Sequence, residues 1–500
     1  MFSSLIKNTA ISAVAFLAVS VLGLLIVPYL IESYGVAGFG IISLARLFVP
    51  LMGLGFFDLG FGEISTQATA RSRATSQWSV GIDLIAISLI FCLILGAILG
   101  GVLYATASWI AGLFAVSSEF VGDFELALRF TGILVPLLFA SLVFEGVIKG
   151  FENFKLQRSI EVLSALLYTL AAIGCIWYGL SLFWVCLAFL GAQFCRALMA
   201  FFFASKLLIP FISHRRISPW NAWEEFCQRS PGLAFNKMLG TTQGNGPTFL
   251  IGAVLGPTSA GIFEALSRIP RFSKSVVGLL NATVQPLAVR IDNETKGKDL
   301  AQLVGTGTVL LACVVVPLYA SAMVFSKPLL EFWLGEEMMS YWYWQAGLFV
   351  SPIFTAIVGF GASALIGRIQ IVRQFNQIAL FFVVIQLGLG LLLTSYLQEF
   401  GFVISQIIAA SISFLFQVRL IAKSLRLGSA YYRNLGLICA STFGIAILAL
   451  PLVVNINVSW LVPMAMAVLV TLMIGVCFGV GLNSDQRTVT LQTLKGRLNK

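Results

Sequence analysis

Long apolar runs recur along this 500-residue chain, and each is about as long as a lipid bilayer is thick. Hydrophobic residues make up 59% of the sequence and charged residues only 10%, against about 25% charged in soluble domains. The runs show no strand-like alternation, and a tilted helix needs about 20 residues to cross the hydrocarbon. The sequence therefore predicts an all-α, polytopic membrane protein with about 14 transmembrane helices. The predicted spans are 9–31, 39–62, 80–104, 126–148, 159–178, 182–204, 231–254, 258–284, 300–324, 342–366, 374–396, 400–422, 434–454 and 459–481.

Basic residues are concentrated in alternate loops between these spans. One set of loops holds Arg71, Arg73, Arg215 and Arg216 together with most of the other loop lysines and arginines. The opposite set holds many carboxylates and, as its one basic residue, Lys327. By the positive-inside rule, the basic side and both termini are predicted to be cytoplasmic. The net charge of +10 is thus explained by topology, and we predict no nucleic-acid partner.

The longest predicted cytoplasmic connection divides the chain into two groups of six helices. This arrangement predicts two six-helix lobes that move against each other, followed by a C-terminal helix pair. The predicted boundaries are 1–204 for the N-lobe, 205–230 for the connection, 231–425 for the C-lobe and 426–500 for the helix pair with its basic tail.

A weak internal similarity relates residues 30–46 to residues 250–268. It aligns Gly35 with Gly256 and Gly40 with Gly261. A duplicated transporter half would leave such a trace, and chance in Gly- and Leu-rich sequence would also produce one.

Four ionisable residues lie close together in the eighth predicted span: Glu264, Arg268, Arg271 and Lys274. Their spacings of four and three place them within about a third of the helix circumference. A charge at the bilayer centre costs roughly 2.5–3.5 kcal/mol, so this face is predicted to line a protein cavity or water. Pairing of Glu264 with Arg268 is the purely structural alternative.

The seventh predicted span carries Lys237, Thr241 and Asn245 at spacings of four. Gly240 and Pro247 lie among them and are predicted to loosen or break the helix within the membrane. Broken, polar helices at that depth are tolerated only against a cavity, which favours a binding site.

Arg46, Arg196 and Asp58 are further charged residues within predicted spans. Arg46 and Arg196 are each predicted either to reach the nearer headgroup region or to contribute to the cationic cavity. Asp58 and Glu264 are the candidates for a coupling-ion site that takes H⁺ or Na⁺.

Several functional classes are disfavoured. The chain has no G-x-x-x-x-G-K-[ST] loop for ATP, and its single histidine, His214, lies in a basic loop. The eight cysteines show no metal-ligand spacing. The outer loops reach only about 20 residues, which is too short for an extracytoplasmic catalytic domain. We therefore predict no enzyme activity, catalytic residue, metal site or cofactor.

Several stretches resemble bacterial polysaccharide flippases of the Wzx type, the polysaccharide transporter branch of the multidrug/oligosaccharidyl-lipid/polysaccharide (MOP) superfamily. The resemblance covers most of the chain up to about residue 425. It rests on GLGFFDLGFG, FEGVIKGFENFKLQRSIEVLSALL, SKPLLEFWLGEEM, GFGASALIGRIQIVRQFNQIALFFVVIQL and EFGFVISQIIAASISFLFQV.

The resemblance implies alternating access by two lobes around a cationic central cavity. The implied cargo is an undecaprenyl-pyrophosphate-linked oligosaccharide, moved from the cytoplasmic to the periplasmic leaflet of the bacterial inner membrane. The implied protein partners are the polymerase and chain-length proteins of the same glycan pathway. A lipid II or teichuronic-acid translocase and a multidrug or cation antiporter of the same superfamily remain the alternatives.

Overall fold

The computed structural model describes residues 2–50, 52–212, 217–295, 298–365, 368–454 and 461–481. Side chains are described within these ranges except at 2–10, 279–280, 282–287, 289–290, 292–295, 298, 369 and 454. The predicted basic tail after Gly481 and the predicted loop residues His214, Arg215 and Arg216 lie outside them. Throughout the described ranges the secondary structure is helical, without a β-strand.

The chain divides into two compact units, Met1–Ala265 and Leu266–Lys500. The predicted lobe boundaries at 204 and 231 stay a prediction. The first unit contains α1 (Phe2–Leu47), a 3-10 helix (Gly53–Phe57), α2 (Phe61–Thr75), α3 (Trp78–Leu113), α4 (Val121–Gly150), α5 (Phe154–Trp177), α6 (Leu182–Ile212), a second 3-10 helix (Pro219–Ala222), α7 (Trp223–Leu255) and the start of α8 (Pro257–Thr295).

The described residues of the second unit form the rest of α8 and nine further helices. Its core is formed by apolar side chains of α9, α13, α15 and α16, and the C-terminal helix α17 packs against α9 and α16. The helices are α9 (Lys298–Val324), α10 (Ser326–Leu334), α11 (Glu336–Met339), α12 (Trp342–Leu348), α13 (Val350–Ala364), α14 (Ile369–Leu397), α15 (Phe400–Leu425), α16 (Ser429–Val454) and α17 (Leu461–Gly481).

Eleven helices or helix pairs of the described residues are long and apolar enough to cross a membrane. They coincide with eleven of the predicted spans. The other three predicted spans are the second, seventh and eighth, which carry most of the polar and charged residues discussed above. The all-α, multi-pass prediction is confirmed, and the total of fourteen stays a prediction.

The second predicted span is not one continuous helix. Helix α1 ends at Leu47, a turn and a 3-10 helix follow, and α2 begins only at Phe61. Asp58 therefore lies in the break between two helices, where the prediction had it inside a helix. Gly53 and Gly60 occupy this break, and Gly60 has a φ of +78°, a conformation that disfavours residues with a Cβ.

The seventh predicted span is continuous where the sequence predicted a break. The prediction of a break near Gly240 and Pro247 is wrong, because α7 runs without interruption from Trp223 to Leu255. It also begins inside the predicted connection 205–230. A glycine in a helix interior lowers helix stability by roughly 1 kcal/mol, and tertiary packing can offset this loss. Neighbouring groups can bind the carbonyl group that a proline leaves without a hydrogen bond.

The two similar segments around Gly35 and Gly256 have the same local structure. Gly35 has φ 70° and ψ 172°, and Gly256 has φ 87° and ψ 179°. Five residues after each kink, Gly40 and Gly261 lie at a close crossing of α1 and α8. A Cβ on Gly40 would lie 1.8 Å from the Pro257 carbonyl oxygen, and one on Gly261 would lie 2.4 Å from that of Val36.

This crossing is reciprocal, since each glycine contacts the residue that directly follows the other kink. Backbone atoms cannot move aside as a flexible side chain can, so glycine is required at both positions. The predicted internal similarity thus corresponds to two structurally equivalent kink-and-helix segments.

Candidate functional site

The break after the 3-10 helix positions a group of three charged side chains. Oδ1 of Asp58 accepts hydrogen bonds from the backbone N–H groups of Gly60 and Phe61, both at 3.0 Å, and so supports the start of α2. Oδ2 of the same carboxylate lies 3.8 Å from Nζ of Lys237 on α7. Oε1 of Glu63 lies 2.8 Å from the same Nζ.

These three residues, the α2–α7 triad of Asp58, Glu63 and Lys237, carry two negative charges and one positive charge. The side chain of Asp58 is only 5% exposed, while those of Glu63 and Lys237 are partly exposed. Oε2 of Glu63 is buried without a hydrogen-bond partner among the described residues. The ammonium group of Lys237 is therefore already engaged by two carboxylates of its own chain.

Arg196 on α6 is also paired within the first unit. Its Nε and Nη2 atoms lie 2.7 and 2.9 Å from the two carboxylate oxygens of Glu145 on α4, a bidentate geometry. Nη2 also lies 3.7 Å from Oε1 of Glu161 on α5, and Arg158 binds the other oxygen of Glu161 at 2.6 Å. Arg196 thus belongs to a network of two arginines and two glutamates that joins α4, α5 and α6.

Arg46 is held by aromatic rings. Its guanidinium carbon lies 4.6 Å from the ring centroids of both Tyr168 and Phe189. Its Nε and Nη2 atoms are buried and have no hydrogen-bond partner among the described residues. Together with Thr131 and Cys186 it lines a cavity of about 10 Å³, room for about one water molecule.

The charges predicted on the eighth span lie on one continuous helix, α8. The Thr248 hydroxyl on α7 donates a hydrogen bond of 3.2 Å to Oε2 of Glu264. Arg268, Arg271 and Lys274 follow within the second unit, and each is half-buried.

Two supporting polar residues lie on α7. Thr241 and Asn245 are half-buried, and the Thr241 hydroxyl oxygen lies 3.4 Å from the point that a Cβ on Gly55 would occupy. Among the described residues, no group of three or more His, Cys, Asp or Glu side chains could hold a metal ion.

The structure brings together residues that sequence reasoning kept apart. Asp58 and Lys237 were predicted separately, and their common partner Glu63 was not predicted. Glu145 and Glu161, the partners of Arg196, were also missed. These three carboxylates, Glu63, Glu145 and Glu161, lie near the ends of predicted helices, where a carboxylate is common. The sequence also carries no signal for contacts between distant helices.

A family model described as polysaccharide biosynthesis protein matches residues 35–343, more than half of the chain. The chain belongs to this polysaccharide biosynthesis family. The predicted resemblance to polysaccharide flippases is confirmed at the level of the family. A comparison with curated proteins finds no match.

Solved structures of MOP-type transporters share the fold of this family member. A structure of the lipid II flippase MurJ, inward closed conformation, has a TM-score of 0.73 at 13% identity and covers 94% of this chain and 98% of its own. An inward-facing multidrug resistance MATE transporter of the MOP superfamily has a TM-score of 0.61 at 16% identity, with coverage of 83% and 96%. A eukaryotic MATE transporter has a TM-score of 0.54 at 14% identity, with coverage of 86% and 97%.

The family and the fold together identify a multi-pass membrane protein of a polysaccharide biosynthesis family with the fold of MOP-type transporters. The proteins that share this fold are transporters and not enzymes, in agreement with the prediction. The identities are too low to transfer a substrate from any of these structures. The roles of individual residues stay predictions.

Proposed function

We propose that this protein is a flippase for an undecaprenyl-pyrophosphate-linked oligosaccharide, which it moves from the cytoplasmic to the periplasmic leaflet of a bacterial inner membrane by alternating access. The observation that carries the proposal is the row of Arg268, Arg271 and Lys274 on α8, in a chain of the polysaccharide biosynthesis family. A pyrophosphate carries at least two negative charges, and guanidinium groups bind its oxygens with charge-assisted hydrogen bonds.

The contacts of the first unit narrow the set of cargo-binding residues. Lys237 and Arg196 each bind two carboxylates, so neither adds net positive charge for an anion. We propose Arg268, Arg271 and Lys274, whose three positive charges follow one another on α8, as the pyrophosphate contacts. Arg46 remains a candidate, because two of its guanidinium nitrogens have no hydrogen-bond acceptor among the described residues.

A lipid II translocase is the second candidate, and the MurJ likeness favours it. Lipid-linked precursors of this class share the pyrophosphate, so the α8 cations suit either cargo. A multidrug or cation antiporter is disfavoured, because residues 264–274 hold three positive charges and one negative charge.

Depletion of the protein in its native cell tests the function. We expect lipid-linked oligosaccharide to accumulate in the cytoplasmic leaflet, measured as material protected from a glycan-modifying enzyme added to spheroplasts. Accumulation of lipid II in its place, with arrested cell-wall synthesis, would favour the second candidate. Normal exposure of both lipids on the outer leaflet after depletion would contradict the flippase proposal.

For energy coupling, we propose the α2–α7 triad as the site that takes a proton or Na⁺. Its two carboxylates exceed its one ammonium group by one charge, which binding of one cation would neutralise in a low-dielectric interior. Asp58 was the sequence candidate, and Glu63 joins it as the more exposed carboxylate. Glu264 is the alternative, with the Thr248 hydroxyl as its neighbour.

Glu63→Gln tests this coupling site in proteoliposomes. We expect the variant to move its cargo down a concentration gradient while its rate no longer responds to an imposed pH or Na⁺ gradient. Glu337→Gln, in the predicted outer segment, is the matched control and should keep the full response. An unchanged gradient response in Glu63→Gln would remove the triad as the coupling site.

A further inference from the structure

A cavity of about 140 Å³ opens near one end of the first unit. It lies between the end of α2, the first turns of α3 and the start of α7. Its polar lining is formed by Arg71, Ser72, Thr75, Gln77 and Glu225, and its apolar lining includes Val80.

The lining residue Glu225 is bound by two arginines, of which Arg71 also lines the cavity. Nη1 of Arg71 lies 2.9 Å from Oε1 of Glu225, and Nη2 of Arg229 binds the same oxygen. Nη1 of Arg229 also donates to the side-chain oxygen of Gln67 at 3.0 Å. Two guanidinium groups thus share one carboxylate oxygen. The side chain of Arg71 is 63% exposed, so most of its N–H donors remain available.

The cavity lies beside the start of a candidate membrane span. Helix α3 is a candidate membrane span that begins at Trp78, so Gln77 and Val80 lie where this helix meets the headgroup region. Trp220 and Trp223 are 65% and 43% exposed beside the start of α7, as in interfacial aromatic belts. The basic loops place this end on the predicted cytoplasmic side.

The segment that covers this region is well anchored. The backbone N–H of Ser218 donates to Oδ1 of Asp83 on α3 at 2.8 Å. The Trp223 ring stacks on Phe91 of α3 and on Phe226, with centroid distances of 5.5 and 6.3 Å. The start of α7, which contributes Glu225 to the cavity lining, is therefore fixed against α3.

We propose that this cavity binds the phosphate headgroup of an anionic membrane lipid, with Arg71 as the phosphate contact and Val80 beside the acyl chain. Arg229 adds positive charge behind the lining residue Glu225. Basic pockets between membrane helices suit such headgroups. The lipid source is either bulk phosphatidylglycerol or the pyrophosphate-bearing polyprenyl carrier. The proposal holds independently of the proposed flippase function, because a bulk lipid satisfies it.

Three variants of the purified full chain test the proposal by native mass spectrometry of retained phosphatidylglycerol. Arg71→Gln is expected to reduce retention roughly fivefold, since a basic residue at a membrane surface contributes about 1 kcal/mol to anionic lipid binding. Arg73→Gln is the matched control, because Arg73 lies on the same helix but binds Glu152 and the Gly150 carbonyl. It should retain lipid as the unaltered chain does.

Glu225→Gln separates lipid binding from a purely structural ion network. The change removes the negative charge that both guanidinium groups share, so phosphatidylglycerol retention should rise. A merely structural network would weaken in Glu225→Gln as it does in Arg71→Gln. Any of three results would overturn the proposal. They are lower phosphatidylglycerol retention in Glu225→Gln, a loss of retention in Arg73→Gln equal to that in Arg71→Gln, and retention of phosphatidylcholine by the unaltered chain equal to that of phosphatidylglycerol.

Competition identifies the lipid source. If undecaprenyl pyrophosphate displaces phosphatidylglycerol from the unaltered chain but not from Arg71→Gln, the site belongs to the carrier lipid. If only excess phosphatidylglycerol displaces the bound phosphatidylglycerol, the site belongs to bulk lipid; either result supports a headgroup site. If neither lipid displaces the bound phosphatidylglycerol, the headgroup proposal is contradicted. None of these variants alters α8, so a failure here is separable from a failure of the flippase proposal.

Discussion

Replacement of Arg268 and Arg271 together by alanine is expected to lower translocation of the lipid-linked oligosaccharide by about a hundredfold or more. Each hydrogen bond to a charged group contributes about 1.5–3 kcal/mol, and about 1.4 kcal/mol corresponds to a tenfold change in rate. The measurement is the rate at which a fluorescent lipid-linked oligosaccharide becomes accessible to a membrane-impermeant quencher in proteoliposomes.

Arg419→Ala is the matched control for this experiment. Arg419 is an exposed arginine on α15, so its removal changes the net charge without touching the α8 row. Exchange of Arg268 and Arg271 for lysine should restore part of the rate, because lysine keeps the charge but lacks the bidentate geometry. Unimpaired translocation by the double alanine variant, at equal protein abundance, would contradict the anionic-cargo proposal.

Replacement of Glu145 by alanine is expected to lower the free energy of unfolding by about 3–5 kcal/mol. The change removes the bidentate partner of Arg196 and leaves that guanidinium among α4, α5 and α6 with only the longer contact to Glu161. Thermal unfolding of the purified protein in detergent, together with its abundance in the membrane, measures the effect.

A double change and an exposed pair serve as controls for Glu145. Glu145→Leu combined with Arg196→Leu should recover most of the lost stability, since apolar residues of similar volume replace buried ion pairs with little cost. Glu125→Ala disrupts the more exposed pair with Arg129 and should cost less than about 1 kcal/mol. A cost for Glu145→Ala as small as that for Glu125→Ala would show that Arg196 finds other partners.

Local sequence patterns gave correct predictions where they depend on contact with lipid. Eleven predicted spans correspond to candidate membrane helices, because any segment that crosses hydrocarbon must be long, apolar and internally hydrogen-bonded. Glycine and proline content was less informative. It predicted a break in α7, which is continuous, and missed the break that begins after Leu47.

The sequence by itself determined that this chain is a multi-helix membrane protein of a polysaccharide biosynthesis family, and that α8 concentrates positive charge. These properties follow from composition, spacing and motif, which are local along the chain. Only the tertiary structure decided which charges are neutralised. Lys237 forms ion pairs with Asp58 and Glu63, and Arg196 forms one with Glu145. These partners are far apart in the sequence, so helical periodicity cannot predict the pairs. The electrostatic role of a buried charge depends on the residues that packing places opposite it, and in a low-dielectric interior those neighbours decide whether it can still bind a ligand.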